Sequence, residues 1–336
     1  MRAVRLAAAR RLEVVDVPEP VPGAGEVVVR VAAAGICGSD LSCYKSGVFS
    51  GSVLGHEMGG LVEATGPGVT GWRPGEPVAV DPKIPCGVCG DCRSGAQHRC
   101  VEALTRGPGA MRDGAFAELV AVPAHGLFRL PEEVAPEDAC LVEPFSVAIH
   151  GLERAGIRPG EAAVVIGLGP IGLLAIAALR ARDAGAVTGV DPSEPRRRLA
   201  ATLGADRVAA NVAGLGGARA PLVLECSGRE DMVQEAVNLA EAGGRVALLG
   251  VSMHQATIVP MVLVTREISV FGSISSTAED FRTAIALLAR RPEIAGIITK
   301  RVPLDELPDA FASLVDDPTE GKIAADPRLG SSQGVG

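Results

Sequence analysis

The sequence predicts an α/β chain of two domains, one β-rich and irregular, the other built around a doubly wound parallel sheet. Three observations carry that prediction. At 336 residues the chain is long for a single hydrophobic core. From residue 1 to about 150 it reads as short β runs broken by Gly and Pro. From 151 to about 291 strand-like runs alternate with helix-like stretches, the pattern of βαβ units around a parallel sheet. The segments shorten again from about 292 to 336, which is read as the return of the chain to complete the first domain.

Taken in order, the first domain offers LEVVDVPEP, GEVVVRVAAAG, GGLVEATGPG, EPVAVDP and FAELVAVPA as strands of a mostly antiparallel sheet. The second offers AAVVI, AVTGV, PLVLEC, GRVALLG and ISVFG as strands, with helices over 169–182, 229–241 and 277–290. The final DPRLGSSQGVG reads as a frayed tail.

Composition narrows the function classes. With 47% hydrophobic residues and a mean hydropathy of +0.28, the chain has ample apolar surface to bury. A net charge of −8 and a pI near 5.3 argue against a nucleic-acid partner, because no basic stripe exists to neutralise phosphates. The apolar start LAAA is too short for a signal-peptide core. Residues 162–179 are uncharged over 18 positions, the lower limit for a membrane span, yet Gly167, Gly169, Pro170 and Gly172 suit a strand, a turn and a buried helix instead. A cytoplasmic protein that does not enter the membrane is expected, and in a reducing compartment clustered cysteines point to metal ligation.

VVIGLGPIG sets Gly167, Gly169 and Gly172 as G-x-G-x-x-G after an apolar strand, with Pro170 and Ile171 opening a helix. Such glycines let the backbone approach a pyrophosphate, whose charge sits on the helix N-terminus of a Rossmann fold. The next strand ends at Asp191, 19 residues past Gly172, where a carboxylate accepts bonds from the adenosine ribose hydroxyls. A carboxylate there repels a 2′-phosphate, so NAD is preferred over NADP; Arg196, in a run of three arginines, pulls the other way.

PCGVCGDCRSGAQHRC, residues 85–100, carries Cys86, Cys89, Cys92 and Cys100 in a spacing that wraps four thiolates around one Zn²⁺. An iron–sulfur cluster is the rival occupant. A closed four-cysteine site has no open coordination position, so its expected role is structural. GICGSDLSCY and VLGHEMGG add Cys37, His56 and Glu57, none of which belongs to that quartet.

The ordered set GICGSDL, GHEMGG, the four-cysteine lobe, DGAFAELV, EPFSVAIHG, GLGPIG and ECSG resembles the zinc-dependent medium-chain dehydrogenase/reductase family, nearest the sorbitol and threonine dehydrogenase branch, over about residues 1–325. The resemblance implies a GroES-like catalytic domain over 1–150, with the zinc lobe at 85–101, and a Rossmann domain over 151–291, with the active site in the cleft between them. It implies two zinc ions per chain. Cys37 and His56 would be ligands of the catalytic one, Glu57 and Glu143 would share the remaining protein position, and Asp40 would orient His56. Zinc would act as a Lewis acid on a substrate hydroxyl, and Ser39 would take its proton. Where alcohol-oxidising relatives often carry a relay His, this chain has Ser42.

Further cofactor contacts are implied near Cys226, Gly250, Val251, Gly272 and Ser273, and at Lys322, which returns from the C-terminal segment. The expected activity interconverts a secondary alcohol, such as a polyol, cyclitol, sugar or amino alcohol, and its ketone. A zinc-free reductase of the same superfamily and a non-catalytic NAD- or zinc-binding scaffold are the alternatives. The strand ISVFG resembles the edge through which such enzymes form homodimers or homotetramers.

Overall fold

The computed structural model describes residues 1–316 and 319–330. The chain divides into two units, one comprising Met1–Glu143, Leu288–Pro318 and Lys322–Gly336, the other Pro144–Leu287 with Thr319–Gly321. The first unit begins with strands β1 (Arg2–Ala8), β2 (Arg11–Asp16), β3 (Glu26–Gly35), β4 (Glu57–Thr65), β5 (Pro77–Val80), β6 (Leu119–Pro123) and β7 (Leu127–Arg129). The second holds β8 (Ala163–Ile166), β9 (Val187–Val190), β10 (Arg207–Ala209), β11 (Ala220–Glu225), β12 (Ala240–Leu248) and β13 (Ser269–Gly272). The chain then returns with β14 (Ile298–Val302) and β15 (Lys322–Ala325).

In the first unit one sheet runs β14-β15-β3-β4-β5-β7, with β6 also on β3, and β1 and β2 pair separately. Antiparallel pairing dominates; β14 with β15 is parallel. Its core packs Leu6, Val29, Leu54, Met58 and Phe116 against Leu307 and Phe311 of the returning helix α9 (Leu307–Asp316). The Phe311 ring meets Tyr44 at 5.4 Å and Phe116 at 5.6 Å between centroids, both edge-on. Those contacts explain why residues far along the chain belong to the N-terminal unit.

In the second unit six strands run β10-β9-β8-β11-β12-β13, all parallel, which is the doubly wound order of a Rossmann sheet. The uncharged run 162–179 resolves into β8, a glycine turn and helix α4 (Pro170–Ala181), buried from Gly172 to Leu179. Among the described residues no helix is long and apolar enough to cross a membrane. The helix expected over 229–241 ends earlier, as α6 (Glu230–Leu239). Ala240 is extended because it already pairs with Ala220 of β11, so sheet register overrides the helix propensity of Ala-Glu-Ala. Strand β10 was not expected; three residues are too short to show periodicity. In the expected tail, Asp326 is buried and its N–H donates to Val302 O at 2.8 Å, while 331–336 lie outside the described residues.

Candidate metal centre and cofactor cradle

Strand β3 runs antiparallel to β4 with Gly35 opposite Glu57, so the chain leaving β3 passes alongside His56. Cys37 then caps helix α1 (Gly38–Ser46). The sulfur of Cys37, a ring nitrogen of His56 and a carboxylate oxygen of Glu57 fall within 4.8 Å of one another. One soft, one borderline and one hard donor at that spacing fit a divalent zinc with a coordination position to spare.

Asp40 ties the group together. One of its oxygens accepts the Cys37 N–H at 2.9 Å and the other faces His56 Nδ1 at 3.5 Å, with the carboxylate buried. That geometry fixes the ring with Nε2 free to ligate. Burial works against a charged imidazole, but Asp40 and the Cys37 thiol outweigh it and hold the His56 pKa well above its ordinary value. Glu57 is buried and ion-paired with Lys322, whose Nζ also donates to Ile36 O at 2.9 Å. The sequence reading placed Lys322 beside the cofactor; in this unit its partner is Glu57.

Glu143 stands outside the three-donor group yet close enough to feel it. Burial pushes its carboxyl up to about 7, with His56 opposing and Glu57 adding to the shift. Nearby Lys83 pairs with Asp81 at 2.8 Å. Ser39 is exposed on the first turn of α1. The Ser42 hydroxyl is exposed and donates to Gly38 O at 3.1 Å, which is a helix-backbone role. Half-buried Cys43 has its pKa raised by burial and by Asp40.

The four sulfurs of Cys86, Cys89, Cys92 and Cys100 also gather within 4.8 Å. Backbone N–H groups point at three of them: Cys86 N at Cys100 Sγ (3.4 Å), Cys89 N at Cys86 Sγ (3.3 Å) and Cys92 N at Cys89 Sγ (3.4 Å). Such donors favour thiolates; at Cys86 the N–H groups of Val88 and Cys89 lower the pKa to about 7. Four thiolates this close repel one another unless a cation sits among them, so the quartet fits one tetrahedral zinc. All eight cysteines of the chain are thiols.

In the second unit α4 begins at Pro170 with Gly169 as its N-cap and no side-chain cap, which leaves the first-turn amides for an anion. A Cβ on Gly172 would stand 1.9 Å from Gly167 O, so only glycine allows the helix to press this close to the turn. Asp191, at the end of β9, accepts N–H bonds from Leu168 and Ser193, both at 2.8 Å. Arg196 Nη1 lies 4.0 Å from that carboxylate, and its Nε donates to Glu320 O. Cys226 follows β11, and burial raises its thiol pKa well above the ordinary value.

Gly250 and Gly228 approach so closely that a Cβ on Gly250 would lie 2.1 Å from Gly228 N. Val251 is exposed, and Gly272 O accepts from Arg154 Nε. The Ser273 N–H donates to Leu248 O, while its buried hydroxyl finds no hydrogen-bond partner among the described residues. Uncapped amides, a carboxylate at the second strand's end and an unsatisfied hydroxyl beyond the sixth strand fit a dinucleotide.

Sequence reasoning overlooked Glu225, a buried carboxylate that accepts from Ser227 N–H and Gly228 N–H and so shapes the turn after β11. Its place immediately before Cys226 in ECSG was the available signal. Also overlooked were His150 Nδ1 and Thr277 N–H converging on Asp280 Oδ2 at 2.9 and 2.8 Å.

Comparison with known proteins shows the family. Residues 23–132 match the model of the alcohol dehydrogenase GroES-like domain, and 170–290 that of the zinc-binding dehydrogenases. The chain is 34% identical over 329 residues to L-threonine 3-dehydrogenase of Saccharopolyspora erythraea, covering 93% of this chain and 95% of that one. It is 33% identical over 309 residues to D-xylulose reductase A of Aspergillus niger, covering 85% of each. A crystal structure of an alcohol dehydrogenase of Escherichia coli CFT073 complexed with NADH superposes with a TM-score of 0.89 at 29% identity, over 97% of this chain and 99% of that one.

Proposed function

The chain belongs to the zinc-binding alcohol dehydrogenase family, with a GroES-like and a Rossmann domain, and from that premise we propose that it interconverts the secondary alcohol of a polyol, cyclitol, sugar or amino alcohol and its ketone with NAD. The overall reaction is alcohol plus NAD⁺ giving ketone, NADH and a proton. The observation that carries the reading is the convergence of Cys37, His56 and Glu57 with Asp40 on the histidine.

Cys37, His56 and Glu57 would hold the catalytic zinc, with Glu143 as the nearby second carboxylate, and the cysteine quartet the structural one. Bound there, zinc supplies Lewis acidity that lowers the pKa of a substrate hydroxyl. Gly167, Gly169, Ile171, Gly172 and Asp191 would hold the dinucleotide, which would supply a hydride acceptor. The Asp191 carboxylate favours a free ribose 2′-hydroxyl over a 2′-phosphate. Ser39 takes the alcohol's proton and, being exposed, passes it to water, so no relay through Ser42 is needed. His56 stays a fixed ligand because Asp40 occupies its other nitrogen.

Two wider readings rest on the same footing. Eight reduced cysteines suit a cytoplasmic setting. The edge strand β13, beside exposed Met261 and Val264 of helix α7 (Pro260–Arg266), suits pairing with a second copy into a homodimer or homotetramer, which light scattering would measure. The decisive test is NADH formation by zinc-loaded protein over a panel of polyols and amino alcohols. Turnover abolished by Cys37→Ala supports the reading; NADH binding without turnover on any secondary alcohol would refute it.

A further inference from the structure

Two arginines from different elements of the second unit meet at the end of helix α6. Arg219 immediately precedes β11 and Arg266 ends α7. The backbone oxygen of Asn238 accepts from Arg219 Nε at 3.2 Å and from Arg266 Nη1 at 3.4 Å. Two cations thus share one carbonyl, at a helix terminus whose carbonyls carry partial negative charge. That contact uses one donor of each side chain. Arg266 Nη2 is buried and finds no hydrogen-bond partner among the described residues, and Arg219 is exposed.

Other arginines of this unit meet a carboxylate: Arg180 pairs with Asp206, Arg229 with Asp231 and Arg245 with Glu161. Arg219 and Arg266 form no ion pair among the described residues. Burial, and after it the charge of Arg219, lowers the Arg266 pKa. A guanidinium stays charged nonetheless, so the strain of that placement is relieved by an anion rather than by loss of a proton. The helix end accounts for Nε of one arginine and Nη1 of the other; it leaves the buried Nη2 without an acceptor.

The pair sits at the amino ends of β11 and β12, which begin at Ala220 and Ala240. The glycine turn and Asp191 follow the carboxyl ends of β8 and β9, at the opposite edge of the same parallel sheet. A ligand held by these arginines is therefore separate from the dinucleotide.

We propose that Arg219 and Arg266 form an anion site for a phosphate-type dianion, either inorganic phosphate or a phosphate monoester. Two positive charges match a dianion, whereas a single carboxylate leaves one cation uncompensated. A tetrahedral oxyanion also has acceptors enough for Arg266 Nη2 and the outer nitrogens of Arg219 at once.

The test is calorimetric titration of the full chain with inorganic phosphate, and separately with glycerol phosphate, at constant ionic strength. Wild type, Arg219→Gln, Arg219→Lys and Arg266→Gln are compared. Saturable binding is expected in wild type, weakened about tenfold or more by either Gln substitution, the scale of a lost hydrogen bond to a charged group. Arg219→Lys keeps the charge and should lose less than Arg219→Gln. Because a ligand of the folded state stabilises it, phosphate should also raise the melting temperature of wild type more than that of Arg219→Gln. Phosphate held at the glycine turn would be indifferent to Arg219, so the difference between the two proteins isolates the proposed site. Saturation by inorganic phosphate supports a site for the free ion, and saturation by the ester alone supports a site for a monoester. No saturable binding of either, affinity equal in wild type and Arg219→Gln, or binding of succinate with none of phosphate would overturn the proposal. Arg219 is exposed, so its variants decide the matter even if Arg266→Gln does not fold.

Discussion

Replacing Asp40 by Asn tests the metal centre without changing its shape. The carboxylate serves two donors, Cys37 N–H at 2.9 Å and His56 Nδ1 at 3.5 Å, from a buried position. A carboxamide has one acceptor oxygen, so it can serve one of them while its NH2 confronts the other. Losing one charge-assisted hydrogen bond costs about 1.5–3 kcal/mol. A second effect opposes this loss: Asp40 holds the His56 pKa high, so Asp40→Asn makes the competing proton easier to remove. Zinc carries twice the proton's charge, however, and loses more from removal of the same carboxylate. The net expectation is zinc affinity lower by about 10- to 100-fold at the Cys37 site. Chelator competition with zinc counted per chain measures it, and the cysteine quartet in the same unit serves as the internal control. Unchanged affinity at the Cys37 site, or equal loss from the quartet, would refute the reasoning.

Three further outcomes are expected. Cys100→Ser breaks the quartet, so zinc per chain should fall by one and the melting temperature should drop, with the Cys37-site zinc retained; two zincs in the variant would contradict a four-thiolate site. Gly172→Ala drives a Cβ to 1.9 Å from Gly167 O, an overpacking that costs about 1–3 kcal/mol, and NADH fluorescence titration should show affinity weakened about tenfold or more. An unaltered Kd would exclude close helix-to-turn packing as a requirement for binding. At Asp280, burial raises the pKa but His150 and Thr277 outweigh it, leaving the carboxyl below its ordinary 3.8. A depressed folded pKa contributes stability that is present above 3.8 and lost as pH falls through the lower folded value. Asp280→Asn should thus destabilise by about 1–3 kcal/mol at pH 7 and flatten the acid limb of a urea-melt series below pH 3.8. An acid limb identical to wild type would remove Asp280 from the account.

Much of the candidate site is legible in the sequence, wherever the residues that gather lie close together along the chain. The quartet needs sixteen residues of chain, and the glycine turn with Asp191 needs one βαβ unit. Cys37 and His56 gained meaning only from a family resemblance, because a single Cys or His carries no pattern of its own. Helix and strand boundaries failed at Ala240, where a propensity that reads helix met a pairing partner that demanded strand.

The sequence by itself determined the two-domain α/β class, the clustering of the cysteine quartet and the glycine turn between β8 and α4, because spacing along the chain is itself a geometric constraint over short separations. The tertiary structure alone decided the partners that stand far apart in the chain. Glu57 meets Lys322 across 265 positions and His150 meets Asp280 across 130. No periodicity encodes such pairs. They follow from strand order, which sets β15 beside β3 and β3 beside β4, and from a glycine at position 35 small enough for a lysine to cross.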